Sequence, residues 1–291
     1  MPTHSTFGTQ VDSMHPYPTI RSIEETATSL NEGHLWLQEY VTGPILGWTM
    51  DESGLITFGM DGETVDTAPP SLRRAVDHVR THIDRDGLRS GVDDVSQFVF
   101  YGFATRNEGI DYDWEAIQPF LGVDIWAAPD EDFVPPDVTE RVYDAIGLAP
   151  IPAFEKELPA THFDPATYEP PQSHWRDGPA VGVVVRKKGG MRYRLGSKPT
   201  DVSQADTVDP ETVIDSEVSR LLDGELDRLN ATAETVDVNT LADRIFDRIA
   251  RTSYVALRDE LNTAPDGVRE MVRTAVRGEI RTTRRGSDDT A

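Results

Sequence analysis

The stretch Leu35–Gly59, LWLQEYVTGPILGWTMDESGLITFG, decides how the rest of the chain is read. Its apolar runs predict two strands, and Asp51-Glu52-Ser53-Gly54 between them is a turn cluster that reverses a hairpin. Inside the first strand sits Glu39-Tyr40-Val41-Thr42-Gly43, a polar-apolar pentapeptide ending in glycine. Whether those five residues can do chemistry depends on what surrounds them.

Upstream, Pro16 and Pro18 in His15–Ile20 enforce extended backbone. Residues 1–14 are polar and expected to be disordered, with a start site upstream of Met14 as the alternative, and Ser22–Leu30 fits a short helix or a turn. Downstream, Leu72, Val76, Val79 and Ile83 recur at helical spacing, with Gly87 as a stop. Val95–Phe103 and Leu121–Ala127 read as buried strands, and 136–146 as a helix ended by Gly147. The proline-rich segment 153–178 is expected to be a long surface connection. Val181–Arg186 is followed by Gly189-Gly190 and the partner strand MRYRLGS. From Asp209 onward prolines thin out and helical periodicity takes over, with Thr240 and Asp243 near a capping-box spacing. The chain therefore divides into a leader (1–14), an α+β domain (15–205), a C-terminal all-helical domain (209–283) and a disordered tail (284–291).

Charge and composition narrow the function. Acidic residues number 51 against 28 basic ones, for a net charge of −23, which repels a polyanion over most of the surface. Only four basic residues are lysine: Lys156, Lys187, Lys188 and Lys198. An acidic, arginine-rich, lysine-poor chain fits adaptation to concentrated salt and a haloarchaeal origin, because a Debye length of about 3 Å at 1 M screens the self-repulsion. The absence of cysteine excludes disulfides, thiolate zinc sites and cysteine nucleophiles. With no apolar run long enough to span a bilayer and no signal pattern, a cytoplasmic protein without membrane contact is expected.

The order of elements over residues 17–198 resembles the adenylyltransferase domain of ATP-dependent RNA ligases, members of the covalent nucleotidyltransferase superfamily. The resemblance is carried by YPTI, by WLQEYVTG where the family has a strand leading into Glu-Lys-x-Asp-Gly, by FVFYGFATRNEGIDYD followed by PFLGVDIW, and by PAVGVVVRKKGGMRYRLGS. It implies an ATP-grasp-like ligase adenylation fold of antiparallel sheets with flanking helices, plus the helical domain. It also implies a lysine nucleophile attacking the α-phosphorus of ATP, carboxylates for metal and ribose, and two lysines on the last strand. This sequence lacks each of them. Tyr40 stands in place of the lysine and Thr42 in place of the motif aspartate; Phe103 and Val181 stand where carboxylates belong, and Arg192 and Arg194 replace the lysines. No lysine precedes Lys156, and a Tyr40 phenolate is disfavoured by a reference pKa near 10.

The expected function is that of a catalytically inactive ligase-like protein, a nucleic-acid- or partner-binding subunit beside RNA or a catalytic paralogue. The alternative is an active RNA ligase with relocated catalytic residues, using ATP and Mg²⁺. Glu39, Gly43, Arg186, Arg192 and Arg194 are the candidate nucleotide contacts, and Lys187, Lys188, Arg192 and Arg194 the candidate nucleic-acid contacts, weighed equally against a hairpin that balances neighbouring acids. His78 and His82 at i, i+4 fit a solvated helix face better than a zinc site, and Asp111, Asp113 and Glu115 fit surface acids better than a metal cluster, so no metal and no certain cofactor are expected. The arginines from Arg251 to Arg281 are expected to pair with nearby acids, with a second nucleic-acid contact toward Arg285 as the alternative.

Overall fold

The computed structural model describes residues 14–23, 30, 32–188, 190–196 and 209–288. After β1 (Arg21–Ser22), the stretch Leu35–Gly59 supplies three strands rather than two: β2 (His34–Glu39), β3 (Ile45–Met50) and β4 (Ile56–Met60). Gly43-Pro44 interrupts the apolar run. Pro44 has no N–H to give a ladder, and Gly43 takes φ +133°, which only glycine adopts readily. The turn at 51–54 forms as expected, with Gly54 N donating to the Asp51 carbonyl at 2.9 Å and β3 pairing antiparallel with β4. The strand before the glycine belongs to a different sheet, so residues 40–44 carry the chain from one sheet to the other.

The remaining elements are β5 (Glu63–Thr64), α1 (Pro70–His82), α2 (Arg85–Gly91), β6 (Phe98–Ala104), β7 (Phe120–Ala127), β8 (Asp132–Phe133), α3 (Pro136–Ala145), β9 (Ala153–Pro159), β10 (Val183–Lys187) and β11 (Arg192–Leu195), followed by α4 (Pro210–Arg228), α5 (Val238–Thr252), α6 (Tyr254–Thr263) and α7 (Pro265–Asp288). Strand order is β1-β11-β10-β2-β9 in a five-stranded sheet and β5-β4-β3-β6-β7-β8 in a six-stranded one. Every pairing is antiparallel except β1 with β11. The protein is thus α+β, two antiparallel sheets with flanking helices joined to a helical C-terminal region.

Period-2 alternation places each residue. On β2, β10 and β11, Leu35, Leu37, Val183, Val185, Tyr193 and Leu195 form one core on the outer face of the first sheet. The alternate residues Trp36, Gln38, Arg186, Arg192 and Arg194 take the opposite face of the same strands, and all are buried. Between the sheets Val41, Tyr101, Phe103, Leu121 and Val123 cluster with half-buried Tyr40 and Val181, while Trp48, Phe100, Leu72, Val79 and Tyr143 fill the space under α1 and α3. The helical core draws all its members from Ile214 onward.

Several boundaries differ from expectation. Gly87 does not stop a helix but lies inside α2, where the Asp84 carboxylate accepts its N–H at 2.9 Å as an N-cap. The segment expected as a connection from 153 supplies β9, an edge strand whose exposed Glu155, Lys156 and Glu157 hide it from an apolar-pattern search. The cap of α5 is Asp237, which accepts from Asn239 N and Thr240 N, and not Thr240. Met14, expected in the disordered leader, is buried, and α7 continues through Arg284, which donates to the Ala233 carbonyl at 2.7 Å. Residues 1–13, 289–291 and most of the Ser22–Leu30 segment lie outside the described residues.

Candidate functional site

Where β2 ends and the chain crosses between sheets, a cleft of about 470 Å³ opens. Tyr40, Gly43, Ile45, Asp61, Phe103 and Arg194 are among its walls. Each arrives for a local reason. Tyr40 follows the last residue of β2; Phe103 faces Ile45 across the β6–β3 ladder; Arg194 comes from β11 by the alternation that turns Tyr193 the other way. Gly43 permits the crossing: a β-carbon there would lie 2.1 Å from the Ala104 carbonyl oxygen. The retained motif glycine therefore has a backbone reason of its own to be glycine.

Tyr40 packs edge-on against Phe103, with ring centroids 6.0 Å apart, and the Arg194 guanidinium sits 5.5 Å from the Tyr40 ring centre. Burial raises the Tyr40 phenol above its ordinary pKa near 10; Arg194 opposes the shift and Glu108 adds to it. The phenol is protonated at neutral pH, the wrong state for a nucleophile. Thr42 is fully buried and donates to the Arg106 carbonyl at 2.8 Å, so it fastens the crossing segment. Val181 joins the same apolar cluster as Tyr40 and Phe103.

Glu39, expected at a nucleotide, is spent elsewhere. Its carboxylate is wholly buried and accepts from Ser173 Oγ at 2.5 Å, from His174 N at 3.0 Å and from His174 Nδ1 at 2.7 Å. It pins the loop after β9 to the end of β2.

The basic hairpin turns two of its arginines inward. Arg186 and Arg192 are buried and converge on the buried Asp124 of β7, the carboxylate that also accepts from Tyr17 Oη at 2.6 Å. Arg186 donates further to the carbonyls of Val123 and Val134, and Arg192 lies 4.0 Å from the Phe133 ring centre. A charge buried and paired across two sheets is unavailable to a phosphate backbone. Lys188 pairs with Glu157 at 3.0 Å, and Lys187 sits at the strand end beside it. Of the five candidate nucleotide contacts, the structure brings only Gly43 and Arg194 to the cleft. The signal that marks Arg186 and Arg192 was present in the sequence: Asp124 is a lone acid inside FLGVDIWA, and a carboxylate in a buried strand needs a cationic partner.

None of the described lysines reaches the cleft. Lys156 pairs with Glu140 at 2.6 Å, and Lys198 lies outside the described residues. Among the described residues no group of three His, Cys, Asp or Glu side chains is placed to hold a metal ion. His78 and His82 stack with centroids 4.1 Å apart, Asp113 caps the turn at Glu115 and Ala116, and Glu115 pairs with Arg228 and Arg248. Arg269, Arg273 and Arg277 pair with Asp243 or Glu270, whereas Arg251 departs from that expectation and bonds only to neutral acceptors.

No protein-family model matches the chain, and no curated protein does. Solved structures do. Naegleria gruberi RNA ligase with PPi aligns at TM-score 0.47 and 13% identity over 68% of this chain and 61% of its own. A mutant of the same ligase with AMP and Mn gives TM-score 0.46 and 13% identity over 62% of this chain and 55% of its own, and one with ATP and Mn gives 0.47 and 13% over 65% and 58%. This chain therefore spans less than two thirds of those proteins. At such scores the likeness assigns it no activity and no site.

Proposed function

We propose that this protein is an RNA ligase-like nucleotidyltransferase scaffold without lysyl-adenylate chemistry, serving as a binding subunit for RNA or for a catalytic paralogue. The observation that carries this reading is the content of the cleft beside Tyr40. At the position that the motif resemblance gives to the nucleophile stands a protonated phenol packed on Phe103, no described lysine lines the cavity, and Asp61 is its one carboxylate among the described residues. Metal-assisted transfer of an adenylyl group to lysine needs the lysine amine itself and oxygen ligands that help hold the metal on the phosphates.

What remains suits binding. A cavity of about 470 Å³ falls within the range of small-molecule sites, three aromatic residues (Tyr17, Tyr40 and Phe103) line it, and Arg194 supplies a cation with no carboxylate partner among the described residues. We assign nucleotide contact to Tyr40, Phe103, Gly43 and Arg194, and withdraw it from Glu39, Arg186 and Arg192, whose polar atoms are engaged inside the fold.

The test is incubation with α-labelled ATP and Mg²⁺ or Mn²⁺ in high salt. No covalently labelled band is expected. A band from the wild type overturns the reading and establishes the relocated-ligase alternative; its loss in Tyr40→Phe, Lys187→Ala or Lys198→Ala would then identify the nucleophile.

A further inference from the structure

We propose that the seam between the two-sheet body and the helical region is a binding site for a phosphate group, separate from the Tyr40 cleft. A cavity of about 260 Å³ lies there, several times the roughly 30 Å³ share of one liquid water. Arg74 and His78 of α1, Trp114 and Glu115 of the loop before β7, and Arg248 and Arg251 of α5 are among its walls.

The charges do not balance. Glu225 is shared by Arg228, Arg244 and Arg248 at 2.9–3.0 Å, and Glu115 by Arg228 and Arg248. Those two carboxylates face five guanidiniums once Arg74 and Arg251 are included. Arg251 is 5% exposed and gives its N–H groups to the carbonyls of Thr105, Trp114 and Ile117 and to the Thr105 hydroxyl, none of which carries charge. Arg74 has no ion pair and no hydrogen bond with any described residue; Glu225 and Asp247 act on it only from beyond ion-pair distance, and Asp247 is held by Arg73 at 3.4 Å. The indole N–H of Trp114 is buried without an acceptor among the described residues. On a chain of net charge −23, this concentration of unneutralised cation and unused donors calls for an anion with several acceptor oxygens, and guanidinium groups match phosphate geometry.

Such a ligand would bridge α1 to α5 and so fasten the two halves of the molecule. His78 would report it. Its ring is held down to about 4, by burial first and then by His82, Arg251 and Arg74, with Arg228, Arg248 and Glu115 also on the cavity wall. An anion among those cations raises it.

The experiment is calorimetric titration of the full chain with inorganic pyrophosphate, and with 5′-phosphorylated and 5′-hydroxyl oligoribonucleotides, at moderate and high KCl. Pyrophosphate is expected to bind, more weakly as KCl rises. Arg74→Ala should weaken binding tenfold or more, at about 1.4 kcal/mol per tenfold, while Glu115→Gln tightens it by removing a competing carboxylate and Arg141→Ala, at an exposed arginine of α3, leaves it unchanged. Competition by the 5′-phosphorylated strand alone identifies a strand end as the source of the phosphate; binding of pyrophosphate only identifies a free anion. In the wild type, the NMR-observed pKa of His78 should rise on saturation, a readout that does not depend on how the Arg74 variant folds. No binding by the wild type, an unmoved His78, or binding lost in Arg194→Ala but kept in Arg74→Ala overturns the proposal.

Discussion

Gly43 shows how one residue of a functional motif can be kept for backbone reasons. It sits between Thr42, whose hydroxyl is bonded to Arg106, and Pro44, and its missing side chain lets the crossing segment touch the Ala104 backbone. Gly43→Ala combines a left-handed φ with a 2.1 Å clash against a carbonyl. It is expected to cost about 3 kcal/mol or more of stability, read as a fall in the denaturation midpoint, because neither backbone can give without breaking β6. Tyr40 presents the opposite case. Its meaning as a replaced nucleophile came from its place in the motif, whereas the structure adds that burial beside Phe103 raises its pKa further above the ordinary phenol value.

At the scale of elements, the β10–β11 hairpin decides what the basic residues do. VGVVVRKKGGMRYRLGS looks like a strand pair ending in exposed charge, and the alternation of Arg192 and Arg194 with Tyr193 and Leu195 was legible. What was hidden is that both faces of this hairpin are covered, one by the Leu35–Leu37 core and the other by the second sheet. Asp124 on β7 is the partner that makes Arg186 and Arg192 tolerable there. Asp124→Asn leaves two guanidiniums buried around a neutral group and should destabilise the protein by about 3–5 kcal/mol, measured by chemical denaturation at fixed high KCl. Strand β9 was missed for a related reason: an edge strand needs little apolar alternation, and Glu155-Lys156-Glu157 gave none.

For the molecule as a whole, two groups where α1 meets α5 pull the pH dependence of stability in opposite directions. His78 has its pKa depressed to about 4, by burial first, so it favours the fold when neutral; that stability is present above its unfolded value near 6.5 and is lost as pH falls toward 4. Asp247 has its pKa raised to about 6, by burial first, with Asp77 adding and Arg73 opposing. Its contribution is greatest below its unfolded value near 4 and is lost as pH rises through 6. Over pH 4–6 the two therefore oppose each other. His78→Gln should make the protein more tolerant of acid and Asp247→Asn less so, each by on the order of 1 kcal/mol between pH 7 and pH 4, checked by thermal melts at fixed KCl.

The sequence by itself determined the α+β pattern, the change to helices near residue 209, the 51–54 turn and the absence of a lysine before position 156, because periodicity, turn chemistry and residue identity are local properties. Only the tertiary structure decided that Leu35–Gly59 serves two sheets, that Glu39 holds Ser173 and His174, that Arg186 and Arg192 face Asp124, and that Arg74, Arg248 and Arg251 meet at one seam. Each of these depends on which distant residue arrives opposite a given side chain. A charge in a sequence carries its sign, but its partner is fixed only when strands and helices far apart along the chain are brought into register.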